Sequence, residues 1–225
     1  MPIAAGFFQN FSTSLSKVWH FLTAGGWFMI PLGVCSLILI AVIIWKCSNL
    51  RRDRIIPQDL EARLREAGPL ISAGKFGALQ QAIMHDSSTL AVITRAALLH
   101  GHNSQEAAAR AAETTGREEV AQLERGLGVL EVIFTISPMI GLIGTTGGLV
   151  RIFGNFGATS EDAAAAREIA AGIAEAMTTT IFGLGVAVPA LIAHVYFSRL
   201  LERFSLRISR IVQQTLDAVW QSPAK

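Results

Sequence analysis

Glu175 stands inside an apolar run that continues to Phe197, and the hydroxyls of Thr178, Thr179 and Thr180 follow it directly. A carboxylate within a bilayer-length segment is costly unless it has a partner or a water-filled path. Two readings follow: Glu175 relays an ion, or it only marks the wet end of a span. An earlier apolar run, Ile136 to Leu149, carries Gly141, Gly144 and Gly148 at spacings of three and four, with Thr145 and Thr146 between them. Glycine on one helical face lets backbones approach closely. The later run repeats the theme with Gly172, Gly183, Ala187 and Pro189. Three spans alone bury few faces, so close-packing helices of this kind predict a bundle or ring of several copies.

A depth argument joins the two runs. Thr145 lies six residues inside Arg151, and Glu175 seven inside Glu168. At 1.5 Å per residue both sit roughly 10 Å inward of the outer charged boundary. Hydroxyl and carboxylate are therefore expected to share one layer, which could hold a proton or small cation between hops. Thr179 shares the face of Glu175, whereas Thr180 is about 140° round the helix at 100° per residue. The ion-pathway candidates are Glu175, Thr145 and Thr180, with Thr179 and Thr146 second. Gly141, Gly144, Gly148 and Gly183 are the packing candidates. Glu131 is expected at the membrane interface rather than in a pore.

Other chemistry is missing from the sequence. There is no phosphate-binding G-x-x-x-x-G-K-[ST], no H-E-x-x-H and no nucleophile elbow, so no enzyme activity, metal or cofactor is expected. Work must come from a gradient or a partner; a membrane potential supplies about 2.3 kcal/mol per charge per 100 mV. His100 and His102 have no Cys, His or acidic neighbour at ligand spacing and are expected to be surface residues. Cys35 and Cys47 are expected to be reduced and unpaired.

The elements that must position these residues are legible in the composition. The chain has 225 residues, 51% hydrophobic and 16% charged, with a mean hydropathy of +0.45. Soluble domains carry about a quarter charged residues, so the apolar excess predicts an integral membrane protein. The net charge of +2 gives no argument for nucleic acid. A secretory signal is not expected, and Leu32-Gly33-Val34-Cys35 is a poor lipobox.

The expected fold is all-α, with three transmembrane helices, two of them extended far into the cytoplasm. Phe7, Phe8, Phe11, Leu15, Val18, Trp19 and Leu22 fall at helical spacing. They predict an external amphipathic helix within 1–26, lying on the membrane surface or against a neighbouring subunit. The first span is 27–45, roughly 28 Å long, with a tryptophan at each end. Residues 46–128 form a cytoplasmic helical region, broken by Gly68-Pro69, Gly74, Gly77 and Asp86-Ser87-Ser88. A long helix is expected from an Asn103 cap, with Glu106 completing the capping pattern, to about Phe153. Its upper part, 129–150, is the second span. An external loop and helix start occupy 151–171, the third span 172–196, and a cytoplasmic C-terminal helix 197–225. Lys46, Arg51, Arg52 and Arg54 after the first span, against Lys17 alone before it, put the N-terminus outside and the C-terminus in the cytoplasm. Arg199, Arg203, Arg207 and Arg210 form one helical stripe that lines a portal, meets anionic lipid or pairs with other helices.

These runs resemble the MotA/TolQ/ExbB proton-channel family, most of all its three-span ExbB/TolQ branch. Ser137-Pro138-Met139-Ile140-Gly141-Leu142-Ile143-Gly144-Thr145 is similar to the family's APxxGLxGT segment. Gly172-Ile173-Ala174-Glu175-Ala176, Thr180, Gly183-Leu184 and Val188-Pro189-Ala190 supply the second match. The resemblance implies a pentameric ring around the membrane helices of an ExbD/TolR-like partner that supplies an essential aspartate. It also implies that proton flow powers transport or envelope work at the outer membrane of a Gram-negative-type bacterium, through a TonB/TolA-like energy-transducing protein. Glu175 matches the pore glutamate, and Thr145 and Thr180 the pore-facing threonines. The chain departs from the pattern at Gly147, where a bulky residue is frequent, at Thr178 and Thr179, and at Ser137 in place of alanine. A sodium-driven member of the family and a non-conducting scaffold, with Glu175 paired to a basic partner, are the alternatives.

Overall fold

The computed structural model describes residues 26–50, 52–72, 76–100, 104–155 and 163–221. Among these the chain is helical: α1 (Met29–Asn49), α2 (Arg52–Ile55), α3 (Gln58–Arg65), α4 (Ala67–Ser72), α5 (Phe76–His85), α6 (Thr89–His100), α7 (Gln105–Glu124), α8 (Leu127–Asn155) and α9 (Ala163–Gln221). Three of them, α1, α8 and α9, are long and apolar enough to cross a membrane. At 1.5 Å per residue the 21 residues of α1 make roughly 31 Å, a hydrocarbon thickness. The 59 residues of α9 make roughly 88 Å, far more than a bilayer needs. The protein is an all-helical integral membrane protein. The expected surface helix over 7–22, the loop residues 156–160, Asn103, His102 and the side chain of His100 lie outside what the structure describes.

Two compact units divide the chain, Met1–Ile43 with Val129–His194, and Ile44–Gly128 with Val195–Lys225. In the first, α8 and α9 run antiparallel with almost no side chain between them. A methyl added at Gly148 would lie 2.8 Å from Ala176 Cβ, and one at Gly144 2.5 Å from Thr179 Cγ2. One at Gly141 would lie 3.1 Å from Thr180 Cα, and one at Gly183 2.6 Å from the Ser137 carbonyl oxygen. Gly141 and Gly183 thus face backbone, and Gly144 and Gly148 face the Thr179 and Ala176 side chains, all within one chain. Pro138 and Pro189 lie inside α8 and α9 without ending them.

The second unit holds the charged half of the chain. Here the expected unbroken helix from Asn103 to Phe153 is two helices. Arg125 turns extended (φ −50°, ψ 131°) and Gly126 takes φ +89°, a region that suits glycine. Lys46, 1% exposed, donates from Nζ to the Leu123 carbonyl at 2.5 Å. A cation thus caps the carbonyl end of α7, and a residue read from sequence as a topology flank is a buried structural contact. The helix start is also shifted: Ser104 accepts from the Ala107 amide at 3.1 Å, so the cap is Ser104 and Glu106 sits in the first turn.

The breaks in the polar region move similarly. Gly68-Pro69 lies in the first turn of α4, where proline lacks no needed donor, and the break falls at Glu66. Gly77 is inside α5. The Asp86–Ser88 break is where the sequence puts it: Asp86 Oδ1 accepts from the Ser88 amide at 2.8 Å, and Ser88 Oγ caps α6 through Ala91.

Glu61 is the centre of charge in this unit. It is 5% exposed; its Oε1 accepts from Arg207 Nε at 3.0 Å and from Arg207 Nη2 at 2.7 Å, and its Oε2 accepts from Nη2 at 2.8 Å. Arg65 adds a third donor at 2.8 Å. Burial pushes the Glu61 carboxyl up, but the hydrogen bonds and charges of Arg207 and Arg65 outweigh it and hold the group below its ordinary range. One member of the arginine stripe is therefore committed to pairing between helices.

Candidate ion-pathway site

Glu175 lies in α9 at the level of Gly148 and Arg151 of α8. The guanidinium of Arg151 donates from Nη2 to Glu175 Oε2 at 2.5 Å. The other carboxylate oxygen, Oε1, lies against Gly26, so close that any side chain there would collide with it. Gly26 has φ +67°, a second reason for glycine at that position. Three segments of the first unit thus converge on one carboxylate. A cavity of about 150 Å³ opens beside it, lined among others by Phe28, Gly147, Arg151, Glu175 and Thr179. At about 30 Å³ per water it has room for several.

The first span supplies the bulk that the second lacks. A methyl at Gly147 would lie 3.2 Å from Phe28 Cε2, and one at Gly144 3.4 Å from Phe28 Cβ. The ring of Phe28 fills the notch left by glycine at 147.

The hydroxyls resolve into separate environments. Gly144 faces Thr179 and Gly148 faces Ala176, so Thr145 is level with Thr178–Thr179. That is one turn, roughly 5 Å, inward of Glu175. The single layer expected from counting residues becomes two levels, because Gly148 faces Ala176 and so sets Arg151 about a turn inward of Glu168, the other boundary of the count. Thr145 donates to the Leu142 carbonyl at 2.7 Å, and Thr146 to Leu142 and Ile143 at 3.1 and 3.0 Å. Thr179, 2% exposed, donates to the Glu175 carbonyl at 3.1 Å. Thr180 donates across the helix contact to the Gly141 carbonyl at 3.0 Å. The 140° between Glu175 and Thr180 thus has a structural counterpart: one faces the cavity, the other the neighbouring helix.

Sequence reasoning passed over three participants. Arg151 follows Gly144, Gly147 and Gly148 at spacings that put all four on one stripe, which was the available signal. Gly26 and Phe28 come from a distant segment and carried none. His194, an ionisable ring in the apolar third run, stacks at 5.6 Å and 58° on Phe134. Glu131 is exposed, one turn into α8. Among the described residues no group of three His, Cys, Asp or Glu is placed to hold a metal.

Comparison with known proteins points the same way. Residues 82–210, more than half of the chain, match the MotA/TolQ/ExbB proton channel family. A Synechocystis protein named ExbB-like 3 is 33% identical over 189 residues, covering 81% of this chain and 86% of its own length. The biopolymer transport protein ExbB of Pseudomonas putida is 28% identical over 197 residues, 84% of this chain and 57% of that protein. The Tol-Pal system protein TolQ of Haemophilus influenzae is 34% identical over 104 residues, 46% and 42% of the two chains. The matched stretch contains α8 and the part of α9 that carries Glu175, and by that extent the chain belongs to the MotA/TolQ/ExbB proton channel family, in its ExbB/TolQ branch.

Proposed function

We propose that this chain is the ring-forming, proton-conducting subunit of an inner-membrane motor, with Glu175 as the relay carboxylate. The observation that carries the reading is Glu175 itself: an ionisable group in a membrane-length helix, half-buried beside a cavity large enough for water. Thr145 and Thr180, with Thr179 and Thr146 behind them, supply hydroxyls along the same helix pair. Several copies, five by resemblance, surround the single-span helices of an ExbD/TolR-like partner. The proton motive force then drives work passed on to the outer membrane by a TonB/TolA-like protein. The excess of basic side chains after the first and third spans supports an external N-terminus and a cytoplasmic C-terminus.

One observation favours a second reading. The Arg151–Glu175 pair is what a non-conducting scaffold would use to hold two helices together. Glu175→Gln separates them. Glutamine keeps size and hydrogen bonding but carries no exchangeable charge. A relay loses gradient-driven work with the ring intact; a scaffold keeps working. Sodium dependence of the work at fixed potential separates a sodium-driven motor from a proton-driven one.

A further inference from the structure

We propose that Arg151 is a built-in counter-cation that holds the pathway shut, occupying Glu175 until the working cycle draws it away. The inference rests on the relay reading of Glu175 and adds its regulation. A guanidinium stays charged at every physiological pH, so a carboxylate paired with it is neutralised without taking up a proton or metal cation. Arg151 Nη2 meets Oε2, and the Gly26 backbone covers Oε1. One oxygen is thus paired and the other crowded, by groups from two other segments.

The contact is also built to open. The Arg151 side chain is 60% exposed while that of Glu175 is 30% exposed, so the arginine is the less enclosed member. It uses one donor of its five-donor fork on Glu175. The cavity adjoins both side chains, so the guanidinium has space into which to withdraw.

The test uses the full-length chain in proteoliposomes, reading proton influx with a trapped pH dye under a potassium diffusion potential. The wild type should leak no more than Glu175→Gln. Arg151→Gln should raise influx about fivefold, the order expected on freeing a partly exposed pair. Arg151→Lys, which keeps the charge without the fork, should rise less. The double variant Arg151→Gln/Glu175→Gln should return to the base level. Native mass measurement checks that each variant keeps the wild-type oligomer, and Arg151→Lys carries the test alone if Arg151→Gln does not assemble. An unchanged influx in the arginine variants, a rise that persists in the double variant, or a wild type already conducting through Glu175 would each overturn the proposal. Failure of the relay reading looks different: Glu175→Gln would then support gradient-driven work.

Discussion

The Thr180 hydroxyl donates to the Gly141 carbonyl oxygen across 3.0 Å, tying α9 to α8 where their backbones touch. In a membrane such interhelical hydrogen bonds contribute about 0.6 kcal/mol on average, up to about 1.7. Thr180→Val, which keeps the shape and removes the donor, should cost about 1 kcal/mol. Thr180→Ser should cost less. Unfolding of the purified variants in detergent measures both; equal losses for Val and Ser would remove the hydrogen bond from the account.

Gly183 tests the closeness of the same contact. A methyl there would meet the Ser137 carbonyl at 2.6 Å, whereas nothing lies within 4 Å of one at Gly185. Backbone cannot give way as a side chain can, so Gly183→Ala should destabilise the chain by about 1–3 kcal/mol. Gly185→Ala should leave its stability unchanged or slightly raised. Thermal unfolding of the two, side by side, should separate them by several degrees.

Glu61 predicts an acid-sensitive step outside the membrane. Its carboxyl is held below the ordinary range in the folded chain. The stability it contributes is therefore complete above the unfolded value of about 4.3 and is lost as pH falls from there through the folded value. Glu61→Gln leaves Arg207 without its carboxylate. At neutral pH this should cost about 2 kcal/mol, less than a fully buried pair, since Arg207 is 40% exposed. The gap between wild type and variant should close as the pH of unfolding is lowered below about 4. A gap independent of pH would mean that packing, not charge, is what Glu61 supplies.

The break between α7 and α8 rests on Gly126. At φ +89° an alanine is strained, and its methyl would lie 3.1 Å from Trp45 Cζ3. Gly126→Ala should destabilise by about 1–2 kcal/mol, visible as a lower unfolding temperature. A neutral or stabilising effect would show that the helices can run straight through.

What was legible in the sequence was local: the three apolar runs, the glycine stripe and the out-of-place carboxylate each declare themselves within a few turns. The break at Gly126 was passed over in favour of one unbroken helix, although a glycine standing where polar composition gives way to apolar, the position of a helix C-cap, was the available signal. The partners of charged groups were not legible. Glu61 is one of many acids in a polar stretch, and its pairing with Arg207, 146 residues away, depends on how α3 meets α9. Arg151 looked like the end of a span, because counting residues gives the depth of a Cα and not the reach of a long side chain. The contact of Lys46 with the Leu123 carbonyl was hidden for the same reason, since a basic residue after a span gives no sign of the carbonyl end it meets.

The most direct measurement is gradient-driven work by Glu175→Gln in cells that contain the partner, with protein level and oligomer size matched to wild type. The relay account predicts an assembled ring and no work, with Glu175→Asp retaining part of it through a carboxylate one methylene shorter. Full activity of Glu175→Gln at normal level and normal oligomer size would contradict the account and leave Glu175 a structural partner of Arg151.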